Sequence, residues 1–556
     1  MSTTGRDVLR RSIAGQRRLV TAASVLTAGH QSGEALVPVV IGVVIDQAVA
    51  GAGAMTLVLW LVVLALLFAG LSTSYRWGAR FGERAAEQAA HELRLDVARR
   101  VLHPGGGAEA GNLAGELVSI GTSDAKRVGT INGVLPYGVA GLAGLLVTAI
   151  VLLTRSVPLG LLVLLGTPPI LYIAHLVGKP LERRSEAEQE RSAFASGVAA
   201  DLVAGLRVLK GVGAERAAVE RYRRTSQDSL RATLRAARAQ AWHNGALLAL
   251  TGIFIAVVAL VGGNLAAAGS ITIGDLVAAV GLAQYMITPF SIFSWVNGEL
   301  AQARASAGRV ADVLNAPPAV EAGSGDLPTP STGHVRVRAL SRGALRDVEF
   351  EARPGELLGV VATDPAAATD LLDCLGRSVD PTRGTVSVDS VDLSTVDPSR
   401  VREVVLVASH DADLFPGTIT ENISAGPRVD EALTAAAVDE VASALPDGVA
   451  TAVTERGRSL SGGQRQRVAL ARALAVDAPV LVLHDPTTAV DTVTEARIAA
   501  GLSELRRGRT TIIVTTSPAL LAATDRVVLL DDGRIVEQGS HAVLAARADY
   551  RAAVLA

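Results

Sequence analysis

The chain has 556 residues, 49% of them hydrophobic but only 3% aromatic, with a mean hydropathy of +0.37 and a formal net charge of −2. That length implies two or more domains, and that balance suits a membrane-embedded region joined to a soluble one, with Ala, Val, Leu and Gly supplying the apolar surface. The near-neutral charge points to no nucleic-acid partner, and the single cysteine, Cys374, excludes an internal disulfide, as expected in a reducing cytosol.

Residues 1–18 place Arg6, Arg10, Arg11, Arg17 and Arg18 among the apolar Val8, Leu9 and Ile13. This basic amphipathic stretch predicts a helix lying on the cytoplasmic leaflet. The apolar run after it is too long for a cleavable signal and lacks a cleavage pattern. Six apolar segments follow, at 19–48, 54–75, 130–154, 157–178, 244–268 and 273–296. Each is near or above the ~20 residues that span a bilayer. The short links hold only Arg155 as a charge, whereas the long links are rich in arginine. The positive-inside rule therefore predicts a multi-pass cell-membrane protein with both termini in the cytosol.

Within the first segment, His30, Gln31 and Glu34 are candidates for a substrate cavity, because an ionisable group inside a membrane is a functional candidate by default. A water-filled lining or an interhelical hydrogen bond explains them equally well. Tyr285, Met286, Phe290, Phe293 and Trp295 gather in the sixth segment, as a cavity wall or as plain packing.

From Thr56 to Leu102 there is no proline, and charges appear at Arg80, Glu83, Arg84, Glu87, Glu92 and Arg94. A helix of about 47 residues is about 70 Å long against a hydrocarbon core of about 30 Å, so it should run far into the cytosol. Much the same holds from Leu181 to Trp242. At 315–333 Pro, Gly and Ser dominate, which reads as a linker. Beyond it, apolar runs at 356–363, 370–375, 403–408, 465–475, 479–484, 493–505, 510–515 and 526–530 alternate between strand and helix patterns. They predict an α/β domain with a parallel sheet.

Arg458 to Leu474 reads RSLSGGQRQRVALARAL. It is a polar, glycine-containing loop opening a helix, where free N–H groups and the helix dipole favour an anion such as a phosphate. An ordinary loop before an amphipathic helix would need only the glycines. The whole string, with Ser461, Gly462, Gly463 and Gln464, resembles the signature motif of ATP-binding cassette (ABC) transporters. The resemblance extends over the chain and implies an all-α six-helix transmembrane domain of exporter type plus an α/β nucleotide-binding domain. The implied boundaries are 1–18 for the amphipathic segment, 19–314 for the membrane domain, 315–333 for the linker and 334–556 for the nucleotide-binding domain. Short coupling helices are implied at two cytoplasmic tips. Gly115-Glu116-Leu117 with Thr122-Ser123-Asp124 resembles the first, and Gly205 to Lys210 with Glu215 the second.

The resemblance also exposes departures. A phosphate loop needs glycines and a lysine. The aligned stretch Ala362-Thr363-Asp364-Pro365-Ala366-Ala367-Ala368-Thr369-Asp370 has neither, and Ala368 stands where the lysine belongs. The chain's only lysines are Lys126, Lys179 and Lys210. Pro365 removes a donor, and Asp364 and Asp370 would repel phosphate, leaving Thr369 as a Mg²⁺-side hydroxyl. His484 and Asp485 replace the family's Asp and Glu, His410 replaces a glutamine ahead of Asp411 to Thr418, and Thr516 replaces the switch histidine. Imidazole suits Mg²⁺ poorly, and Asp485 sits one methylene too far back for a general base. No aromatic residue lies in 333–349 to stack adenine. His410, His484 and Asp485 invite a metal reading, but vestigial histidines need no second coincidence, and no metal is expected.

In contrast, the parts that act on a partner match the family: Glu455-Arg456-Gly457, the signature, and a D-loop at Thr487 to Asp491. The resemblance thus implies the degenerate half of a heterodimeric exporter of a small molecule. ATP and Mg²⁺ would be held mainly by a second half-transporter with intact Walker motifs, while the chain's own site would be inactive or very weak. An exporter-fold importer of a siderophore-like molecule, or a nucleotide-gated regulatory pseudo-ATPase, has the same motifs.

Overall fold

The computed structural model describes residues 3–410, 413–423 and 426–554. The chain forms two bodies, one from residues up to Val97 with Val118–Leu314, the other from Ala98–Leu117 with Asn315 onward.

The first body opens with α1, Gly5–Gly15, started by a capping box in which Thr4 N–H donates to Asp7 at 2.9 Å. Its inner face is tied down. Val8 and Leu9 are buried, Ser12 accepts a hydrogen bond from Asn132 at 2.9 Å, and Gln16 donates to Glu92 at 3.1 Å. The long helices are α2, Arg17–Val49, and α3, Ala54–Val101. The next, α4 at Ala114–Ser119, runs through a π turn at Ile120–Asp124 into α5, Ala125–Arg155. Then come α6, Val157–Ala204, the short α7, Leu206–Gly211, and α8, Glu215–Ala267. The last membrane stretch is α9, Ile273–Tyr285, with α10, Ile287–Asn315. The break at Met286 has a simple cause: Pro289 has no N–H and its ring crowds the carbonyl four residues back.

Six helical stretches among the described residues are long and apolar enough to cross a membrane, matching the six segments read from sequence. Small residues let the helices meet. A Cβ on Gly129 would lie 2.5 Å from the Ala86 carbonyl oxygen, and one on Gly42 would lie 2.4 Å from that of Gly274. Asp46 accepts hydrogen bonds from the Thr272 hydroxyl and the Gly274 N–H at 2.7 Å each, placing a carboxylate on the N-terminus of α9.

One expectation shifts. Gly115 to Leu117 lie in the short helix α4 just after the reversal and group with the second body, whereas Thr122 to Asp124 lie in the π turn that leads into the third long helix. Asp124 is ion-paired there with Arg309, whose Nε lies 2.8 Å away. The reversal lies at 102–113, where Pro104 and positive φ at Gly106, Gly107 and Gly111 rule out a helix. The short helix α7 falls where the second tip was expected.

The second body carries a hairpin of β1, Val335–Arg342, and β2, Leu345–Ala352, then β3, Leu357–Ala362, and α11, Pro365–Leu375. Next come β4, Arg383–Val388, β5, Val391–Asp392, α12, Pro398–Val404, and β6, Val405–Ala408. A mostly helical stretch holds β7, Gly417–Thr418, α13, Ile419–Ile423, α14, Val429–Ala435, α15, Val438–Ser443, β8, Ala452–Val453, and α16, Gly462–Ala475. The chain continues through β9, Val480–His484, α17, Thr492–Leu505, β10, Thr510–Val514, and α18, Pro518–Ala522. It closes with β11, Arg526–Asp531, β12, Arg534–Gly539, α19, His541–Leu544, and α20, Ala548–Val554.

The main sheet has the order β12-β11-β3-β10-β9-β6 and is parallel except for the β11–β12 hairpin. A second sheet, β2-β1-β4-β5, is wholly antiparallel. The parallel sheet expected from sequence is the six-stranded one, and the antiparallel sheet stands in addition to it. The Val-Arg-Val-Arg alternation of β1 buries Val335 and Val337 against α11 residues such as Leu371 and Leu375. On the other side, α14, α16 and α17 cover Leu481, Leu483 and Ile513. This layering brings the C-terminal ends of β3, β9, β10 and β11 to one edge, where α/β sheets bind ligands.

Candidate functional site

Helix α16 begins with a reciprocal cap. Ser461 N–H donates to Gln464 Oε1 at 2.8 Å, and Gln464 N–H donates to Ser461 Oγ at 3.3 Å. Both cap groups are neutral, so the positive end of the helix dipole is left uncompensated. Gly463 packs where no side chain fits, since a Cβ there would lie 2.5 Å from the Ala489 carbonyl oxygen. Gln466 completes the join. Its amide donates to Thr488 Oγ1 at 2.6 Å and accepts from Ala489 N–H at 2.8 Å. Asp491 then caps α17, accepting from Val493 and Thr494 N–H groups at 3.2 and 3.0 Å, and these bonds hold its carboxyl below the usual range. The signature loop and the 487–491 loop are thus one rigid surface. The motif LSGGQRQR contains Gln466, but its partner was not readable from spacing.

Helix α11 begins differently. Asp364 caps it, with Oδ1 accepting from Ala366 N–H at 2.9 Å, and Pro365 occupies the first turn. A carboxylate already sits on this helix N-terminus. Ala368 is buried, packed with the core at the edge of the cavity beside the helix. Thr369 Oγ1 donates back to the Pro365 carbonyl at 3.0 Å, and Asp370 accepts from Ala344 N–H at 2.7 Å, tying α11 to the β1–β2 turn. Thr363 donates to Asp531 at 2.6 Å. None of these groups is arranged as a phosphate cradle.

Beside this helix lies a cavity of about 570 Å³ at the strand ends, lined by Ala362, Pro365, Ala368, His484, Asp485 and Thr516, among others. It also receives Asp531 and, from α20, Asp549, Ala552 and Ala553. The contribution of α20 had no signal in the sequence. Three carboxylates and no lysine or arginine line the cavity, so the triphosphate tail of ATP does not fit it electrostatically. Mg²⁺ brought with that tail would find His484 where an oxygen ligand belongs.

His410 and His484 do come together, ring centroids 5.4 Å apart and edge to face, and His484 Nε2 lies 3.7 Å from Asp485 Oδ2. Yet no group of three potential ligands among the described residues has metal-binding geometry. Asp485 sits at φ +42° with its N–H donated to the Val514 carbonyl at 2.9 Å. Asp411 and Ala412 lie outside the described residues.

In the membrane body, His30 Nδ1 is 3.0 Å from the Leu71 carbonyl oxygen, and Nε2 is 4.0 Å from Glu34 Oε2. Gln31 is buried, and its carbonyl accepts from the Tyr285 hydroxyl at 2.9 Å. The three first-segment residues therefore divide. Gln31 and Tyr285 are interhelical packing, while the Glu34 side chain stays 43% exposed.

Comparison with known proteins follows this division. Residues 20–290 match the model of the ABC transporter transmembrane region, and residues 345–488 match that of the ABC transporter. The chain is similar to a multidrug efflux ATP-binding/permease protein of Mycobacterium bovis, 33% identical over 462 residues, or 81% of this chain and 39% of that protein. It thus spans about two fifths of the length of that relative. It is also similar to an ATP-dependent lipid A-core flippase of Bordetella avium, 32% identical over 71% of this chain and 69% of that one. A flippase of the same description from Burkholderia orbicola is 29% identical over 81% and 78%.

Proposed function

Because the chain belongs to the ABC transporter family, as an exporter-type transmembrane region fused to an ATP-binding domain, we propose that it is the degenerate half of a two-chain exporter. The observation that carries this reading is the pair of helix caps. Asp364 holds the N-terminus that would have to receive phosphate, whereas Ser461 and Gln464 leave theirs open. A chain built this way is fitted to complete a second half-transporter's ATP site and not to run its own. The 39% share of the multidrug efflux relative leaves room there for a second unit of this size.

In this account the second subunit's intact Walker motifs hold Mg²⁺ and ATP, which supplies the free energy of closure and, on hydrolysis, of reset. Gly462 and Gly463 of this chain present N–H groups to the γ-phosphate, beside the Ser461 hydroxyl and the Gln464 side-chain amide, at a helix end that carries no charged cap. Gln466 keeps that end fixed to the 487–491 loop, so closure is transmitted as a rigid-body step to the helical tips. The cargo is a small drug-like, natural-product or lipid-like molecule, in keeping with the names of the relatives, and Glu34 contacts it. The chain sits in the cell membrane with both termini in the cytosol.

The test uses a pair in which the second subunit's catalytic glutamate is replaced by glutamine. All hydrolysis should disappear. Turnover persisting above background would mean that this chain's own site works, and the reading would be wrong.

A further inference from the structure

The N-terminal helix does more than dock. A cavity of about 620 Å³ lies between α1 and α10, and the side chains of four arginines border it, chiefly through their aliphatic stems: Arg6, Arg10, Arg17 and Arg304. No carboxylate lines it. Among the described residues these arginines form no hydrogen bond or ion pair. The nearest acid of α1, Asp7, is engaged by Thr4, and only Arg10 and Arg11 act on it through space. Other basic groups nearby are spent differently. Arg11 donates to Thr3 Oγ1 at 2.9 Å, and Arg309 is paired with Asp124.

The remaining wall is apolar, made by Leu9, Ile13 and Leu300. An adjoining groove of about 690 Å³ shares Arg17 and adds Arg18, Val25 and Leu26. Four arginines without an ion pair, set around an apolar wall, match an amphiphile with an anionic head. Position supports the same occupant. Arg17 and Arg18 precede the apolar run 19–48, and Leu300 and Arg304 follow the run 273–296, so the groove lies at the membrane boundary. The groove is also prebuilt. Ser12 and Gln16 anchor α1, and Gly5 packs so closely that an added Cβ would lie 2.9 Å from Gly308 N.

We propose that this groove is a binding site for an anionic glycerophospholipid of the surrounding bilayer, with the phosphate in the arginine cluster and acyl chain against Leu9, Ile13 and Leu300. Guanidinium groups suit phosphate because their paired N–H donors match its oxygens, and basic pockets at helix ends bind such heads. The proposal is independent of how the nucleotide sites are divided.

The test is native mass spectrometry of the full chain released from vesicles of phosphatidylcholine doped with phosphatidylglycerol. Phosphatidylglycerol should be retained preferentially, and each of Arg6→Gln, Arg10→Gln, Arg17→Gln and Arg304→Gln should weaken retention roughly fivefold. Arg304→Gln leaves α1 and its anchors untouched, so its effect does not reflect misfolding of that helix. Arg11→Gln, outside the groove, should leave retention unchanged. Equal retention of the two lipids, wild-type retention in the Arg304 variant, or equal loss in the Arg11 variant would overturn the site. Displacement of phosphatidylglycerol by glycerol phosphate at equal concentration would assign the cluster to a free anion and overturn the lipid.

Discussion

Two helices of the second body start from loops with the same backbone task and opposite chemistry. At α11 the cap is a carboxylate, Asp364, followed by a proline; at α16 it is a serine in a box with a glutamine, followed by two glycines. Both satisfy N–H groups that would otherwise be orphaned, so folding is indifferent to the choice. Ligand binding is not. A charged cap neutralises the helix end from within, while a neutral cap leaves it for an incoming anion. β3 leads into α11 through a charged cap, whereas α16 starts from a neutral one.

That contrast can be broken most severely at Gly463. In Gly463→Asp the new Cβ meets the Ala489 carbonyl and the carboxylate reproduces the α11 situation on α16. ATPase activity of the assembled pair should fall by roughly a hundredfold or more, the scale of losing a preorganised oxyanion donor. Replacing Gln466 by leucine removes two hydrogen bonds to Thr488 and Ala489. Each is worth about 1 kcal/mol, so turnover should drop by up to roughly thirtyfold while the circular dichroism spectrum stays unchanged. Glu34→Gln should change the ratio of transported substrates severalfold and ATPase turnover by less; equal losses in both would deny Glu34 a substrate role.

The α11 side should respond weakly. Asp364→Ala loses a helix cap, costing about 1 kcal/mol in the unfolding transition of the second body seen by calorimetry, without creating ATP hydrolysis. Asp485→Asn should alter turnover of the pair by less than about twofold, far below the effect of losing a working general base. A large loss there would show that the two caps do not divide the work as described.

Most of the membrane region was legible because runs of apolar residues longer than ~20 admit few alternatives. The first tip was placed a few residues late, because Gly115 to Asp124 looks like a family motif, whereas the turn at 102–113 is decided by Pro104 and the Gly105-Gly106-Gly107 run. The antiparallel sheet of β1, β2, β4 and β5 was missed because its strands are half-buried, with arginines alternating among the valines of β1. At the site, the absence of a phosphate-loop lysine could be read directly. What could not be read was what takes its place: Asp364 bonded to Ala366, Asp370 bonded to Ala344, and α20 bringing Asp549 to the cavity. The Asp370–Ala344 bond spans 26 residues and α20 reaches the cavity from the far end of the domain, so no local pattern encodes either. The His30–Glu34 pair shows the converse: its i,i+4 spacing was visible, its neighbour Leu71 was not.

The most direct measurement is the ATPase activity of the purified chain alone, then mixed with the half-transporter encoded beside it. The account predicts none alone and robust activity in the mixture, lost again when Gly463→Asp replaces the wild-type chain. Clear activity from the chain alone, after contaminating ATPases are excluded, would contradict it, because Asp364, Ala368 and Asp485 would then belong to a working site.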